Sequence, residues 1–591
     1  MKIICLVKQV PRTDAIEFDQ ETKSLKREGV PLLLNPFDGY AVAEAARLSE
    51  SVGGEVVAIT MGPPQAEEAL RECLSLGADR AIHLSDRIFA LADTIGTSRT
   101  LAMAIEKEGG VDLVLCGRKT LDAETWQVPP EVAAFLGWAQ ATNVLGLELR
   151  DGRLLVRRDT NEGEELREVQ LPAVCSISHT SAERRSGPDD GEIVVWTAAD
   201  LAPDVRPNDK RFGQTGSPTR VLAVRDVTPE RAQEVIATPA EAAARILDLV
   251  AQRSKTSSPW EKPARLGEQP GASFDCWTLV EPVEGRASRT SLELLGKGRE
   301  LAGKLGGRNI ALVVGHGVTE AVREAGRFGA EAVYVFDDAS LKDGDTEAWV
   351  AVLRHVLERE RPHVLLIPAT PRGRDVGPRV AGELGLGMTA DCVDLGIDRG
   401  GRLIQHKPAY GGNIVSVIMG STTPQLATVR PRMFEPVEPR ESPQTEIHQL
   451  RVETRPEPRT RLVEREGDGR PGYVLDETDV VVGVGKGVGE EVGEIEELVG
   501  PLHAAVGGDR AAWEAGLVPA ARHIGLLGRA VAPRLYLAIE TSDDFEHTTG
   551  TVKAGVVATL GGNGDAPADV LVPGPWRETL TPLVEALSSR R

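Results

Sequence analysis

The sequence predicts an α/β protein built from two homologous doubly wound parallel-sheet domains and a third, C-terminal α/β domain. Three observations predict it. Short apolar runs alternate with helical stretches from Met1 to Val174, and the same grammar returns from Asn309 to Ala427. After a charged, proline-rich stretch, the apolar run Val480-Val481-Val482 enters a glycine turn, and a second apolar run follows at Leu535 to Ile539.

In order, Ile3 to Val7 reads as the first strand, followed by Lys8-Gln9-Val10-Pro11. Residues 12–32 read as an irregular or hairpin excursion. Asn35-Pro36-Phe37-Asp38 starts a helix, with asparagine as the cap and proline at the first helical position. Ala41, Ala43, Ala45 and Ala46 give that helix a compact face. Val56 to Ile59 is a strand ending at Met61-Gly62-Pro63. A helix from Gln65 to Leu76 closes at Gly77-Ala78-Asp79-Arg80 before the strand Ala81 to Leu84. Asp112 to Cys116 is the next strand. In the second half, Asn309 to Val314 ends at Gly315, and Gly329-Ala330-Glu331-Ala332 precedes Val333 to Phe336. His363 to Ile367 matches Asp112 to Cys116, Arg399 to Leu403 matches Arg150 to Leu154, and Thr423 to Ala427 matches Leu171 to Val174. The unit is too long for a solenoid repeat. Two copies in one chain predict an internal pseudo-dimer.

The expected boundaries are 1–196, an arm and linker at 197–272, a second unit at 273–440, a linker at 441–472, and a last domain at 473–591. Within the arm, Thr197 to Ser217 is polar and extended and Pro239 to Gln252 is an amphipathic helix. Ser254 to Ala272 and Pro436 to Gly472 read as linkers, and the charged run Arg451 to Glu466 as a solvated part of the second.

Composition narrows the function. Lys and Arg total 68 against 89 Asp and Glu, a net charge of −21 with no basic stripe, which argues against nucleic acid as a partner. The six cysteines are dispersed with no C-x-x-C pair, which argues against structural zinc, an iron–sulfur cluster or a disulfide framework. No signal peptide precedes the first strand and no apolar run is long enough to span a bilayer, so a soluble, cytoplasmic protein is expected. No Ser/His/Asp or Cys/His arrangement is visible, and His316 and His363 read as loop or strand-edge residues.

The chemistry-bearing stretch is Gly483 to Gly489 with the acidic helix Glu490 to Leu498 after it. A buried strand that turns on glycines into a helix presents free N–H groups to a phosphate or a flavin edge. A second glycine pair, Gly525-Leu526-Leu527-Gly528-Arg529, precedes the strand ending in Glu540 to His547. Two such strands side by side form a nucleotide crevice. From the glycines alone, a structural turn is the preferred reading.

With the duplicated units, linker and glycine block in place, the chain resembles an electron-transfer flavoprotein with its β subunit fused in front of its α subunit. The β-like signals are Val7-Lys8-Gln9-Val10-Pro11, Asn35-Pro36-Phe37-Asp38, Gly77-Ala78-Asp79-Arg80 and Gly216-Ser217-Pro218-Thr219. The α-like signals are Gly373 to Arg379, Pro408 to Asn413 and Ala427 to Pro431. The resemblance implies adenine-nucleotide α-hydrolase-like sheets, FAD in the last domain, and AMP or a second FAD in a β-type site. It implies an electron carrier between a flavin dehydrogenase and a quinone reductase or similar redox protein, not an integral membrane protein. It places the β-type site at Val7, Met61, Gly62, Asp122, Thr125, Gln127 and Val128. Trp126 stands where the family has a small residue and Pro129 where it has glycine. That ring either stacks on a base, plugs the site or packs in the core. The resemblance places FAD at Gly485, Lys486, Gly487, Arg510, Gly525, Gly528, Arg529, Ser542 and His547. Here the family's G-G-R-G reads Val484-Gly485-Lys486-Gly487, its S-R reads Asp509-Arg510, and its G-Q-T-G-K has Leu526 and Leu527 at the polar positions. Glu540, Asp543, Asp544 and Glu546 bring carboxylates to a loop that holds pyrophosphate in the family. One such charge about 4 Å from a phosphate costs about 4 kcal/mol at an effective dielectric of about 20. Two alternatives follow: a fold that has lost this flavin and works as an adenine-nucleotide-binding or assembly protein, or one that keeps a single flavin in the β-type site.

Overall fold

The computed structural model describes residues 1–591 except 20–23, 27–28, 161–162, 267–273, 453–456, 467–473, 562–566 and 590–591. Parts of the excursion at 12–32 and of both expected linkers lie outside the described residues. Near-continuous apolar runs, covered on both faces, make the centres of parallel sheets. In the first unit Ile193–Trp196, Arg80–Leu84, Glu55–Met61, Lys2–Val7, Leu113–Gly117, Ala173–Ile177 and Ala139–Arg150 lie parallel in that order. Connection direction reverses between Lys2–Val7 and Leu113–Gly117. Arg153–Thr160 and Gly163–Val169 then extend the sheet antiparallel. In the second unit Cys276–Val280 sits between Asn309–Gly315 and Val364–Pro368 in a seven-stranded parallel sheet. The last domain has a six-stranded parallel sheet that reverses between Val480–Val484 and Leu535–Ile539. The chain is therefore the doubly wound α/β protein that its sequence predicts.

Two stretches of the second expected linker are stitched into the sheets. Thr460–Glu466 pairs antiparallel with Gly163–Val169, and Glu446–Gln449 lies parallel on Ala332–Asp337. The end of the charged run, Thr460–Glu466, is a strand whose arginines meet the neighbouring strand's glutamates, Arg461 with Glu168 and Arg465 with Glu165, each at 2.7 Å. The arm serves two other domains. Thr219–Asp226 pairs with Ile414–Gly420 in a four-stranded sheet of the second unit. Glu234–Val235 joins the edge of the last domain's sheet. The expected amphipathic helix, Pro239–Arg253, buries Ala242, Ala243, Ile246 and Leu249 in that domain's core.

The two repeated units meet at the helices Val128–Leu136 and Pro371–Leu384. They approach closely: a Cβ on Gly382 would lie 2.8 Å from that of Ala134. Polar groups cross the contact in both directions. Gln127 Nε2 donates to the Met388 carbonyl at 3.1 Å, Gln140 Nε2 to that of Asp375 at 3.2 Å, and Arg379 to that of Trp138 at 2.8 Å. Arg158 and Asp375 form a buried ion pair at 2.5 Å, and Thr142 donates to the same carboxylate. Beside them Glu131 is fully buried and bonded to Thr94, Ser98 and Gln127. Burial, then the charge of Asp93, pushes its carboxyl up to about 8.

Two outcomes follow from this packing. Ile246→Ala leaves a cavity in the last domain and is expected to cost about 2–5 kcal/mol, read as a lower unfolding midpoint; an unchanged midpoint would remove the arm helix from that core. Glu131 holds its proton in the folded chain at pH values where the unfolded chain has lost it. Stability is therefore expected to fall as pH rises from 4.5 to about 8. Glu131→Gln should flatten that slope in pH-dependent denaturant titrations.

Candidate functional site

Ligands of doubly wound sheets bind outside the carboxyl ends of the strands where the order reverses. In the first unit that place lies beyond Val7 and Gly117. Two residues of the helix-starting motif build it. Asp38 accepts the Lys8 N–H at 2.8 Å and the Gly117 N–H at 3.0 Å. Asn35 donates to the Lys119 carbonyl at 3.0 Å and accepts the Leu121 N–H at 3.2 Å. Asn35 occupies the cap position, but its side chain makes no cap bond; it holds the loop instead. Gly117 must be glycine, since a Cβ would lie 2.4 Å from Asp38 Oδ1.

The loop then runs through Asp122, whose carboxylate binds Lys8 Nζ at 2.5 Å, into the helix Val128–Leu136. Glu124 and Trp126 take left-handed conformations, φ 47° and 62°. Among the described residues nothing accepts the backbone N–H groups of Thr125, Trp126, Gln127 and Val128. Successive free N–H groups in such a turn, at a helix N-terminus, make an anion-binding concavity. Met61 and Gly62 end the adjacent strand half-buried, with the Gly62 N–H bonded to Leu84 and its carbonyl 3.1 Å from His83 Nε2. The backbone of Gln127 belongs to this crevice, but its side chain is turned into the inter-unit contact. The Trp126 ring is also turned away. The Arg118 and Arg374 guanidinium groups pack over it, 4.9 and 4.4 Å from its centroid. That geometry is cation–π packing.

The last domain's crevice lies beyond Val484 and Ile539, where the sequence predicts it, but its groups bond one another. Asp509 caps the helix Arg510–Glu514 by accepting the Ala512 N–H, and its other oxygen accepts the Ser542 N–H, both at 2.8 Å. Asp544 accepts the His547 N–H at 2.9 Å. The His547 ring is buried, with Nε2 3.0 Å from the Tyr536 hydroxyl and Nδ1 3.2 Å from the Ile524 carbonyl, and burial pushes its pKa down. Gly485 and Gly487 lie against Glu540, and Lys486 is exposed. Arg510 pairs with Glu514 at 2.7 Å. Gly525 faces the Glu546 carboxylate, which accepts the Leu527 N–H at 3.1 Å and lies 3.2 Å from His523. Gly528 lies against the backbone of His523. Arg529 leaves the crevice for Asp476, at 2.9 Å, and Asp159 of the first unit. Leu526, Leu527 and Phe545 pack on Phe37, Tyr40 and Leu121 of the first unit.

FAD is the cofactor implied for this second crevice, and the residues there do not fit it. The carboxylates of Asp509, Asp544 and Glu546 line the crevice's turns and helix starts, and a pyrophosphate is repelled by such a lining. The first crevice does fit a nucleotide phosphate. Sequence reasoning missed Asn35, Asp38 and Lys8 as its scaffold. The signal was present in Asn-Pro-Phe-Asp, whose two polar residues do more than start a helix. No helix among the described residues is long and apolar enough to cross a membrane.

Comparison with known proteins agrees with this architecture. Residues 22–201 and 276–454 each match the electron transfer flavoprotein domain, and 474–552 match the electron transfer flavoprotein FAD-binding domain. The chain is 42% identical over 243 residues to the electron transfer flavoprotein subunit beta of Thermoanaerobacterium thermosaccharolyticum, covering 40% of this chain and 92% of that one. It is 32% identical over 321 residues to the alpha subunit of the same organism, covering 53% of this chain and 97% of that one. It is also 40% identical over 232 residues to the caffeyl-CoA reductase-Etf complex subunit CarD of Acetobacterium woodii, 38% of this chain and 86% of that one. The beta matches fall on the N-terminal part and the alpha matches on the C-terminal part, so the chain belongs to the electron transfer flavoprotein family as a fusion of a beta-like to an alpha-like half.

Proposed function

We propose that the chain is an electron carrier holding a single flavin, FAD, in the crevice of its first unit. The observation that carries this reading is the row of free N–H groups at Thr125 to Val128 beside Met61 and Gly62. The corresponding place in the last domain is occupied by the chain's own carboxylates. Thr125 to Val128 bind the pyrophosphate. Asn35 and Asp38 fix the loop, and the ends of Lys2–Val7 and Glu55–Met61 seat the adenosine. The flavin supplies reversible one- and two-electron chemistry when bound. A flavin dehydrogenase fits as donor and a quinone reductase or another flavoprotein as acceptor. This extends to the chain the redox-complex setting in the name of the Acetobacterium relative.

Nucleotide released from the purified protein tests the reading. One FAD per chain and a yellow protein are expected. Two FAD per chain would place flavin in the last domain as well. A colourless protein releasing only AMP would make it an adenine-nucleotide-binding assembly protein and end the carrier reading.

The site is tested separately. Thr125→Asp adds a carboxylate about 4 Å from the phosphate and is expected to cost about 4 kcal/mol of binding before screening, enough to empty the site on gel filtration. Arg510→Ala, in the other crevice, should leave nucleotide content unchanged. Loss of nucleotide from Arg510→Ala with retention in Thr125→Asp would reverse the assignment.

A further inference from the structure

A cavity of about 50 Å³ lies where the three domains meet. The first unit supplies Arg118, Trp126 and Asn143, the second Arg374 and Asp391, and the last domain Arg529. The inter-unit symmetry shows in its walls. Trp126 and Arg374 stand two residues before Val128 and Val376 in the two matching helices, and Asn143 and Asp391 both have left-handed backbones, φ 54° and 61°.

Its charges do not close. Five cationic side chains and four carboxylates line it, and every carboxylate already has a cation. Glu124 pairs with Lys119 at 3.1 Å. Asp391 pairs with Arg374 at 3.0 Å and with Arg430. Asp476 and Asp159 share Arg529. Arg118 alone among these cations is in no ion pair among the described residues. It donates to the Leu527 and Gly528 carbonyls, each at 2.8 Å, and to Ser178 Oγ at 3.2 Å. Burial, then the charges of Arg529 and Arg374, pull its pKa down to about 9 against a smaller opposing pull from Asp159, which is itself paired with Arg529. Arg118 Nε and Arg374 Nε are buried and donate to nothing. Asn143 is only 7% exposed and lines the cavity, and its side-chain amide bonds to nothing among the described residues.

We propose that this cavity binds a small inorganic oxyanion, of the size and charge of phosphate or sulfate, which fastens the three domains to one another. A buried water needs about 10–15 Å³ of such space, so the cavity seats either a few waters or one oxyanion. Charge decides between them, because water leaves Arg118 without a counter-ion and an oxyanion supplies one. The oxyanion accepts from guanidinium N–H groups and from the Asn143 amide, bonds that a charged acceptor strengthens. The site is separate from the first unit's crevice: Trp126 lends its backbone N–H to the one and its ring to the other.

The test is a phosphate titration of the full chain at fixed ionic strength, with chloride as the reference anion, read by melting temperature and calorimetry. Wild type is expected to bind phosphate and to melt higher than in chloride. Asn143→Asp keeps the size of the side chain and tolerates the same backbone, but puts a carboxylate on the wall. It should weaken phosphate binding about tenfold or more. A response equal in chloride and phosphate, or undiminished in Asn143→Asp as binding in the crevice would give, overturns the proposal. Anomalous scattering from a selenate-soaked wild-type crystal reads the same question without a variant: a peak beside Arg118 supports it, and a featureless cavity overturns it.

Discussion

The contact between Val128–Leu136 and Pro371–Leu384 is the constraint on which the rest depends. Each helix begins in the loop that leaves the reversal-point strand of its own unit, so each unit's crevice is shaped by the other unit. Gln127 shows how. Its side chain is committed to Met388, Thr94 and Glu131, and the helical positions it would cap, Pro129 and Pro130, carry no N–H. The N–H groups of Thr125 to Val128, ahead of those prolines, stay free among the described residues. In the second unit the matching helix is capped by Thr370, whose hydroxyl donates to Glu281 and accepts the Gly373 N–H. Glu281 is fully buried at the end of Cys276–Val280, where the first unit has the half-exposed Lys8. One duplicated crevice is open and its copy is closed, and the difference traces to a few side chains on a shared backbone.

The last domain closes by the same chemistry. A buried carboxylate is costly unless backbone donors satisfy it. Asp509 and Asp544 each accept N–H groups at helix N-termini of the last domain's crevice. An internal acid is always present, whereas a ligand must be recruited from solution, so these carboxylates hold the local N–H groups in the ligand's absence. Glu546 extends this into the glycine turn. Gly525 remains necessary because the carboxylate, rather than a cofactor, now lies against it.

Much of the fold was legible. Alternation of apolar runs and helical stretches gave the three sheets, and matched segments such as His363 to Ile367 and Asp112 to Cys116 gave the duplication. The stitching was not legible. Thr460–Glu466 carries charge on a strand whose partners are glutamates about 300 residues away, a pairing local pattern cannot express. The crevices were legible in place but not in state. The acids at 543, 544 and 546 warned of repulsion, yet whether Asp509 and Asp544 face outward or cap their own helices is decided in three dimensions. Trp126 stands open between stacking and packing in the sequence because the groups that pack on it, Arg118 and Arg374, come from different units of the chain.

The open crevice and the docked last domain share one segment. Gly117 and Leu121 are held by Asp38 and Asn35 on the crevice side. On the other side Arg118 donates to the turn at Leu527 and Gly528, and Phe37 and Leu121 pack against Leu526. The loop is therefore fixed between the crevice and the contact with the last domain. Moving Gly117 to admit a larger group would pull Arg118 from its two carbonyl acceptors, and a buried guanidinium without partners is costly. Conversely, lifting the last domain would free Phe37, which lies one residue from Asp38 in the same helical turn. What the first unit binds and how the last domain sits are thus one mechanical question, set by residues 35–38 and 117–121.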